Sequence, residues 1–295
     1  MSRATFDLVM MGHFARDRIV VDGQSETLSG GGVYYGSVAL RRLGLSVGVV
    51  TRLHPKDFDR LAELEQEGVE VSATPAPETS GIENVYDSAD MERRVCKPLG
   101  FAGPFEPGDI PDWQARVYMA AGIIAGEIDL PLLKLLAQRG PVALDVQGFV
   151  RVREGGDLVF RQWPDMKDGL AQVTYLKVDR AEAELLTGQT DLQLAARQLA
   201  DYGPREIVVT ESSGVTVWVD GRIYQAPFRS RCLDGRTGRG DTCFSTYLGK
   251  RLTVSPEGAC RYAAAVTTLK QEQAGPWRGS VDDVEALLAS WGMGE

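Results

Sequence analysis

The residues best suited to chemistry lie late in the chain, in Asp234–Phe244, DGRTGRGDTCF. Gly238 and Gly240 let the backbone approach a ligand closely, and amides without side-chain cover can point at an anion. A helical pattern follows, so the positive end of a helix dipole adds to the same site. Asp241 falls in the first turn of that helix. There a carboxylate either takes a proton from a hydroxyl or caps the helix beside an ordinary glycine loop. The dipole favours its ionised form and would make Asp241 a weak base, adequate if it chiefly orients its target. A second candidate is Gly30–Gly44, GGGVYYGSVALRRLG, in which three glycines precede a helix bearing Gly36, Ser37 and Ala39. Close approach to a ligand and tight helix–sheet packing both explain it.

Several machineries are excluded by what is missing. No GxGxxG follows a strand-like run, there is no GxxxxGK[ST], and no HRD or DFG set is present. A dinucleotide fingerprint, a P-loop and a protein-kinase site are thereby set aside. The only histidines are His13 and His54, too few for a multi-histidine metal site. Cys96, Cys232, Cys243 and Cys260 are far apart, without CxxC spacing, and read as reduced thiols of a cytoplasmic protein.

The elements that must position these residues alternate. Strand-like runs occupy Phe6–Met11, Val47–Thr51, Val117–Ile124, Val142–Val146, Val173–Val178 and Ile207–Thr210. Helical patterns occupy Lys56–Glu67, Leu130–Gln138, Arg180–Thr187, Leu192–Tyr202, Thr242–Leu252, Pro256–Gln273 and Val281–Ser290. Such alternation predicts an α/β fold, a mostly parallel sheet covered by helices on both faces. Ligands of such sheets bind beyond the carboxyl ends of the strands, where Asp145, Asp179 and Thr210 fall. Arg18–Leu28 and Gly81–Leu99 break the alternation and read as a small β lid or as surface hairpins.

With 295 residues the chain is long enough for one large domain that needs no staples. Its net charge of −9 disfavours nucleic acid and anionic lipid as partners. The apolar start is too short for a signal peptide, and Val117–Gly126 is too short to span a bilayer.

Taken together, in this order and separation, the segments resemble the ribokinase-like, or PfkB-type, carbohydrate kinase family. The early glycine pair followed by LG is similar to the family's first signature, and TGRGD with Asp234 upstream to its second, usually written DTTGAGD. KVDRAEAELLTG resembles the N-x-x-E segment, with Asp179 and Glu182 in those places. VVTESSG (Val208–Gly214) is similar to the nucleotide-loop strand, and AAAVTTLKQEQAGPW to the C-terminal nucleotide-side helix. The resemblance implies a single Rossmann-like domain over residues 1–295 with a small β lid near residues 18–28 and 81–99. It implies transfer of the ATP γ-phosphate to an alcohol, with Asp241 as base and the amides of Gly238, Arg239 and Gly240 as anion hole. Asp179 and Glu182 would hold Mg²⁺ through water, Thr210, Ser212, Gly214 and Thr237 would lie along the nucleotide, and a monovalent cation could assist.

Asp17, Gly31, Gly32 and Tyr35 would face the acceptor. Tyr35 stands where many members carry asparagine, which argues against a simple pentose. Asp145, Gln147 and Arg151, in DVQGFVR, could add hydrogen-bonding groups for a cyclic polyol, in keeping with an inositol-kinase-like branch. A nucleoside kinase is the alternative, with Phe14, Tyr34, Tyr35 and Phe149 available to stack a base. A catalytically silent ligand-binding relative is another. Monomer and homodimer are both compatible with this reading.

Overall fold

The computed structural model describes residues 4–87 and 90–292. Among the described residues fifteen strands and ten α-helices follow one another. They run β1 (Thr5–Met11), β2 (Ala15–Val21), β3 (Gln24–Gly30), α1 (Gly32–Arg42), β4 (Val47–Leu53), α2 (Ala62–Glu65), β5 (Glu70–Pro75), β6 (Gly81–Asp87) and β7 (Asp90–Gly100). Next come β8 (Gln114–Ala120), α3 (Leu130–Arg139), β9 (Val142–Asp145), α4 (Gln147–Val150), β10 (Arg151–Glu154), β11 (Asp157–Phe160), α5 (Met166–Leu170), β12 (Tyr175–Asp179) and α6 (Arg180–Thr187). The last part holds α7 (Leu192–Ala200), β13 (Glu206–Thr210), β14 (Gly214–Val219), β15 (Arg222–Pro227), α8 (Arg239–Arg251), α9 (Pro256–Gln271) and α10 (Val281–Ser290).

Nine strands form one sheet in the order β15-β14-β13-β12-β9-β8-β1-β4-β5. From β5 to β13 every neighbour is parallel, and β14 and β15 close that edge antiparallel. Alternate residues of β1 serve opposite cores. Leu8 and Met10 belong to the same core as Val38 of α1 and Phe244 and Tyr247 of α8, whereas Val9 and Met11 belong to the core that holds Leu132 and Leu136 of α3 and Leu199 of α7. A strand buried on both faces reads as a continuous apolar run, as FDLVMM does. The chain leaves β1 for β4 on one side and later returns to β8 on the other. The strand order therefore reverses at β1, and a crevice opens there.

The small sheet has the order β3-β2-β6-β7. β2 pairs antiparallel with β3 and parallel with β6, so the two lid segments read from the sequence join in one layer. Residues 88–89, inside the second of those segments, lie outside the described residues.

Several elements differ from expectation. The helix anticipated over 56–67 begins as a 3₁₀ turn at Pro55–Leu61 and becomes α-helical only at α2. The strand anticipated to reach Ile124 ends at Ala120. The N–H groups of Ile123 and Ile124 donate to the Glu127 carboxylate at 2.8 and 2.7 Å instead of joining the ladder. The hairpins β10–β11 and β14–β15 were missed, although Gly155–Gly156 and Asp220–Gly221 supply their turns with positive φ.

Gly12, at the end of β1, shows how tight the crevice floor is: a Cβ there would lie 2.3 Å from the Ala121 carbonyl oxygen. Backbone cannot yield as a side chain does, so Gly12→Ala is expected to destabilise the fold by about 1–3 kcal/mol. A lower urea midpoint with an unchanged m value would show it, and an unshifted midpoint would contradict the close packing.

Candidate active site

Most of the longer helices start on capping side chains: Asp129, Asp191, Ser255 and Ser280 each accept a backbone N–H of the first turn. α1 and α8 do not. Their N-caps are Gly31 and Gly238, with no side-chain cap. Gly238 is left-handed, φ 80°, and a Cβ on it would lie 2.2 Å from the Tyr35 ring. The Arg239 N–H donates to the Arg236 carbonyl at 3.2 Å. Those of Gly238 and Gly240 make no hydrogen bond among the described residues and mark an open anion-binding helix start. The turn faces the ends of β12 and β13, because a Cβ on Gly240 would lie 3.4 Å from Lys177 Cε and 3.8 Å from Thr210 Oγ1.

Asp241 Oδ1 lies 3.0 Å from where a Cβ on Gly32 would be, so the carboxylate abuts the start of α1. Gly31 takes φ 93°, and a Cβ on it would lie 2.4 Å from the His13 carbonyl oxygen. Farther along α1, Gly36 is excluded from any side chain by Ser245 and Met10. The early glycines therefore divide: Gly31 and Gly32 border the site, and Gly36 serves helix packing.

Behind the turn lies a buried charge network. Lys177 Nζ is 3.1 Å from Asp145 Oδ1 and 3.6 Å from Glu182 Oε2. Burial alone would lower its pKa, but Asp145, Glu182, Asp179 and Asp241 outweigh that and drive it up. Burial, then Asp145, pushes Asp241 up to about 6 against Lys177 and Arg151. The expected weak base is thus corrected: a desolvated carboxylate near another negative charge holds a proton more strongly than the dipole alone suggests. Lys177 was not foreseen, although one lysine within an otherwise apolar strand, YLKVD, is a usable signal.

Asp179 and Glu182 form a capping box at α6, Asp179 Oδ1 accepting from Glu182 N at 2.8 Å and Glu182 Oε2 from Asp179 N at 2.7 Å. That leaves Glu182 Oε1 buried without a partner, and burial pushes this carboxyl up to about 7. Among the described residues no group of three carboxylate, thiol or imidazole side chains could hold a metal ion. The residues fit a divalent cation that keeps its waters and takes its remaining oxygens from a phosphate.

In front of the turn is a cleft. Its polar lining comes from Asp17, Asn84, Gln147, Arg151 and Asp241. Ile82, Ile123 and Tyr35 supply apolar walls, and Gly31, Thr237 and Gly238 complete it. The lid is part of this wall: Asp17 Oδ1 accepts from Ile82 N at 2.8 Å across the lid strands. Arg151 Nη2 donates to Gln147 Oε1 at 2.8 Å. Sequence reading missed Ile82, Asn84 and Ile123. Asp145 does not line the cleft and stands behind it, holding Lys177. Ser212 and Gly214 lie on the β13–β14 turn, and Gly214 is needed because β15 packs 2.6 Å from its would-be Cβ.

An open helix start, an adjacent carboxylate of raised pKa and a closable polar cleft define a phosphotransferase that acts on a hydroxyl. The chain belongs to the pfkB family of carbohydrate kinases, whose pattern it matches over residues 4–280. A pyrophosphate-dependent kinase of the ribokinase family, solved as a sulfate complex, is similar at TM-score 0.88 and 38% identity, over 95% of this chain and 99% of that one. A pyrophosphate-dependent kinase of the same family, complexed with a pyrophosphate analog and myo-inositol, is similar at TM-score 0.88 and 36% identity, again over 95% and 99%. The cytidine kinase of Thermococcus kodakarensis is 24% identical over 255 residues, 82% of this chain and 87% of its own. No helix among the described residues is long and apolar enough to cross a membrane.

Asp241→Asn is expected to lower turnover by about 10²–10⁴-fold without loss of fold. In the wild type, kcat/KM should fall about tenfold per pH unit below the Asp241 pKa, because the proton acceptor is then filled. A flat acid limb, or near-normal turnover of the variant, would remove Asp241 from the mechanism. Gly240→Val should cost turnover far more than thermal stability, since its branches would fill the gap towards Lys177 and Thr210; unchanged kinetics would count against the anion site.

Proposed function

We propose that this chain transfers a phosphoryl group from pyrophosphate to a hydroxyl of a myo-inositol-like cyclic polyol. The observation that carries the donor assignment is the closure of the space beside the turn, between residues 229–235 and the end of α9. Arg229 N donates to Thr268 Oγ1 at 3.1 Å, Ser230 Oγ to the Thr268 carbonyl at 3.2 Å, and Gly235 N to the Gln271 carbonyl at 2.8 Å. Gln271 Nε2 donates to Ser230 Oγ at 2.9 Å, and Arg231 N to Glu272 Oε1 at 2.8 Å. The family resemblance put this helix on the nucleotide side of the site. With the loop stitched down, the remaining anion site suits a compact donor, as in the pyrophosphate-dependent relatives.

The acceptor assignment rests on the cleft. A ring with a hydroxyl on each carbon needs polar partners around its rim and apolar contacts for its C–H faces, and the lining offers both. The nucleoside alternative loses most of its stacking platform. Phe14 and Tyr34 are buried in an edge-on pair, Phe149 packs on Trp163 at 4.4 Å, and only Tyr35 of the four aromatics reaches the cleft.

In the proposed step the acceptor oxygen attacks the terminal phosphorus of pyrophosphate. A new P–O bond forms, the bridging P–O bond breaks, inorganic phosphate leaves, and the hydroxyl proton passes to Asp241. The Gly238 and Gly240 N–H groups meet the charge on the transferring oxygens, where fixed dipoles act without reorganisation. Lys177 offsets the charge of Asp145, Asp179, Glu182 and Asp241, which would otherwise repel the donor. Mg²⁺, held through water by Asp179 and Glu182, would supply charge neutralisation to the donor oxygens. Lid residues Asp17, Ile82 and Asn84 would exclude water that would otherwise hydrolyse the donor.

Purified chain incubated with Mg²⁺ and a panel of polyols, sugars and nucleosides, each with pyrophosphate or ATP, should give an inositol monophosphate with pyrophosphate alone. Product mass decides, and phosphorylation of nucleosides or use of ATP alone would replace this assignment. Glu182→Gln should raise the Mg²⁺ concentration needed for half-maximal rate, and an unchanged titration would take Glu182 out of the metal's surroundings.

A further inference from the structure

Lys270, near the end of α9, is 1% exposed, yet it takes part in no ion pair among the described residues. Its ammonium donates to the Gly235 carbonyl at 2.6 Å and lies 5.2 Å from the centroid of the Tyr35 ring. Buried charges are ordinarily paired, and one carbonyl and one aromatic face are poor compensation. Burial accordingly pushes the ammonium down to about 7, with Asp241 pulling the other way. Such a group is retained where something else needs its charge.

Its two contacts show what that is. Gly235 opens the turn that carries the anion site, and it is jammed in place: a Cβ there would lie 1.7 Å from the Gln273 carbonyl oxygen and 2.6 Å from that of Lys270. Tyr35 lies against Gly238 at the other end of the same turn. One ammonium therefore reaches both ends of the turn, Gly235 directly and Gly238 through the tyrosine ring. Carbonyls gathered beneath an anion site repel the anion unless a cation lies between them. We propose that the Lys270 ammonium is a built-in monovalent cation for the phosphate-binding turn, holding the Gly235 carbonyl and offsetting donor charge from beneath. Lys270 does not line the cleft and is a positioning residue; the inference rests on the turn being the phosphate site, not on which donor or acceptor is used.

A protein that carries its own cation needs none from solution. Wild-type turnover and calorimetric binding of pyrophosphate should be the same in potassium, ammonium or tetramethylammonium chloride of equal ionic strength. Lys270→Ala should lose turnover on the order of 10²-fold in tetramethylammonium, with KM for the acceptor little changed. Ammonium or potassium should restore much of the loss by entering the vacated space. Strong potassium activation of the wild type would overturn the proposal without any variant. So would a folded Lys270→Ala that keeps full rate without added cation, or that no small cation improves. If the wild type proves to use ATP, the donor assignment fails, but the same cation series run with ATP still decides the role of Lys270.

Discussion

Two helices that begin without side-chain caps are made to meet at one carboxylate, and the architecture serves that meeting. α1 and α8 start on Gly31 and Gly238, and Asp241 in the first turn of α8 abuts Gly32 in the first turn of α1. The helices can come this close because glycines line their contact: Gly36 against Ser245, and Gly249 against Leu40. A capping serine or aspartate at either start would satisfy the amides internally and add a side chain in the space a substrate must fill.

Charge is arranged in layers around that point. Asp145, Lys177 and Glu182 form a buried row at the ends of β9, β12 and the start of α6, out of contact with the cleft. Breaking a buried ion pair strands a charge, so each member constrains the others. The row ties the glycine turn to the middle of the sheet, and within it Asp145 raises the basicity of Asp241 while Lys177 lowers it. Lys270 reaches the turn at the Gly235 carbonyl. The chain as a whole is acidic, with a net charge of −9, so attraction for an anionic donor has to be local.

The lid contributes walls as well as cover. Asp17 is fixed by the Ile82 amide, and Asn84 accepts from Cys96 Sγ at 3.3 Å on the neighbouring strand, so polar lid residues enter the cleft already oriented. β2 leads out of the β1 end and β3 leads into α1, which places the lid next to the helix start that borders Asp241.

The α/β alternation, the lid segments and the DGRTGRGD turn were legible in the sequence, because apolar period and glycine spacing are local properties of the chain. So was Asp241 as the residue to watch. The basicity of Asp241 was not legible, since it depends on burial and on Asp145, nearly a hundred positions away. Nor were Lys177 and Lys270 visible as parts of the site: a lone lysine reads as a surface charge until folding removes water from it. The sequence by itself determined the elements and the glycine turn that opens α8. Only the tertiary structure decided which distant charges surround the turn and how much room remains for a donor, because desolvation and proximity arise when separated segments pack together.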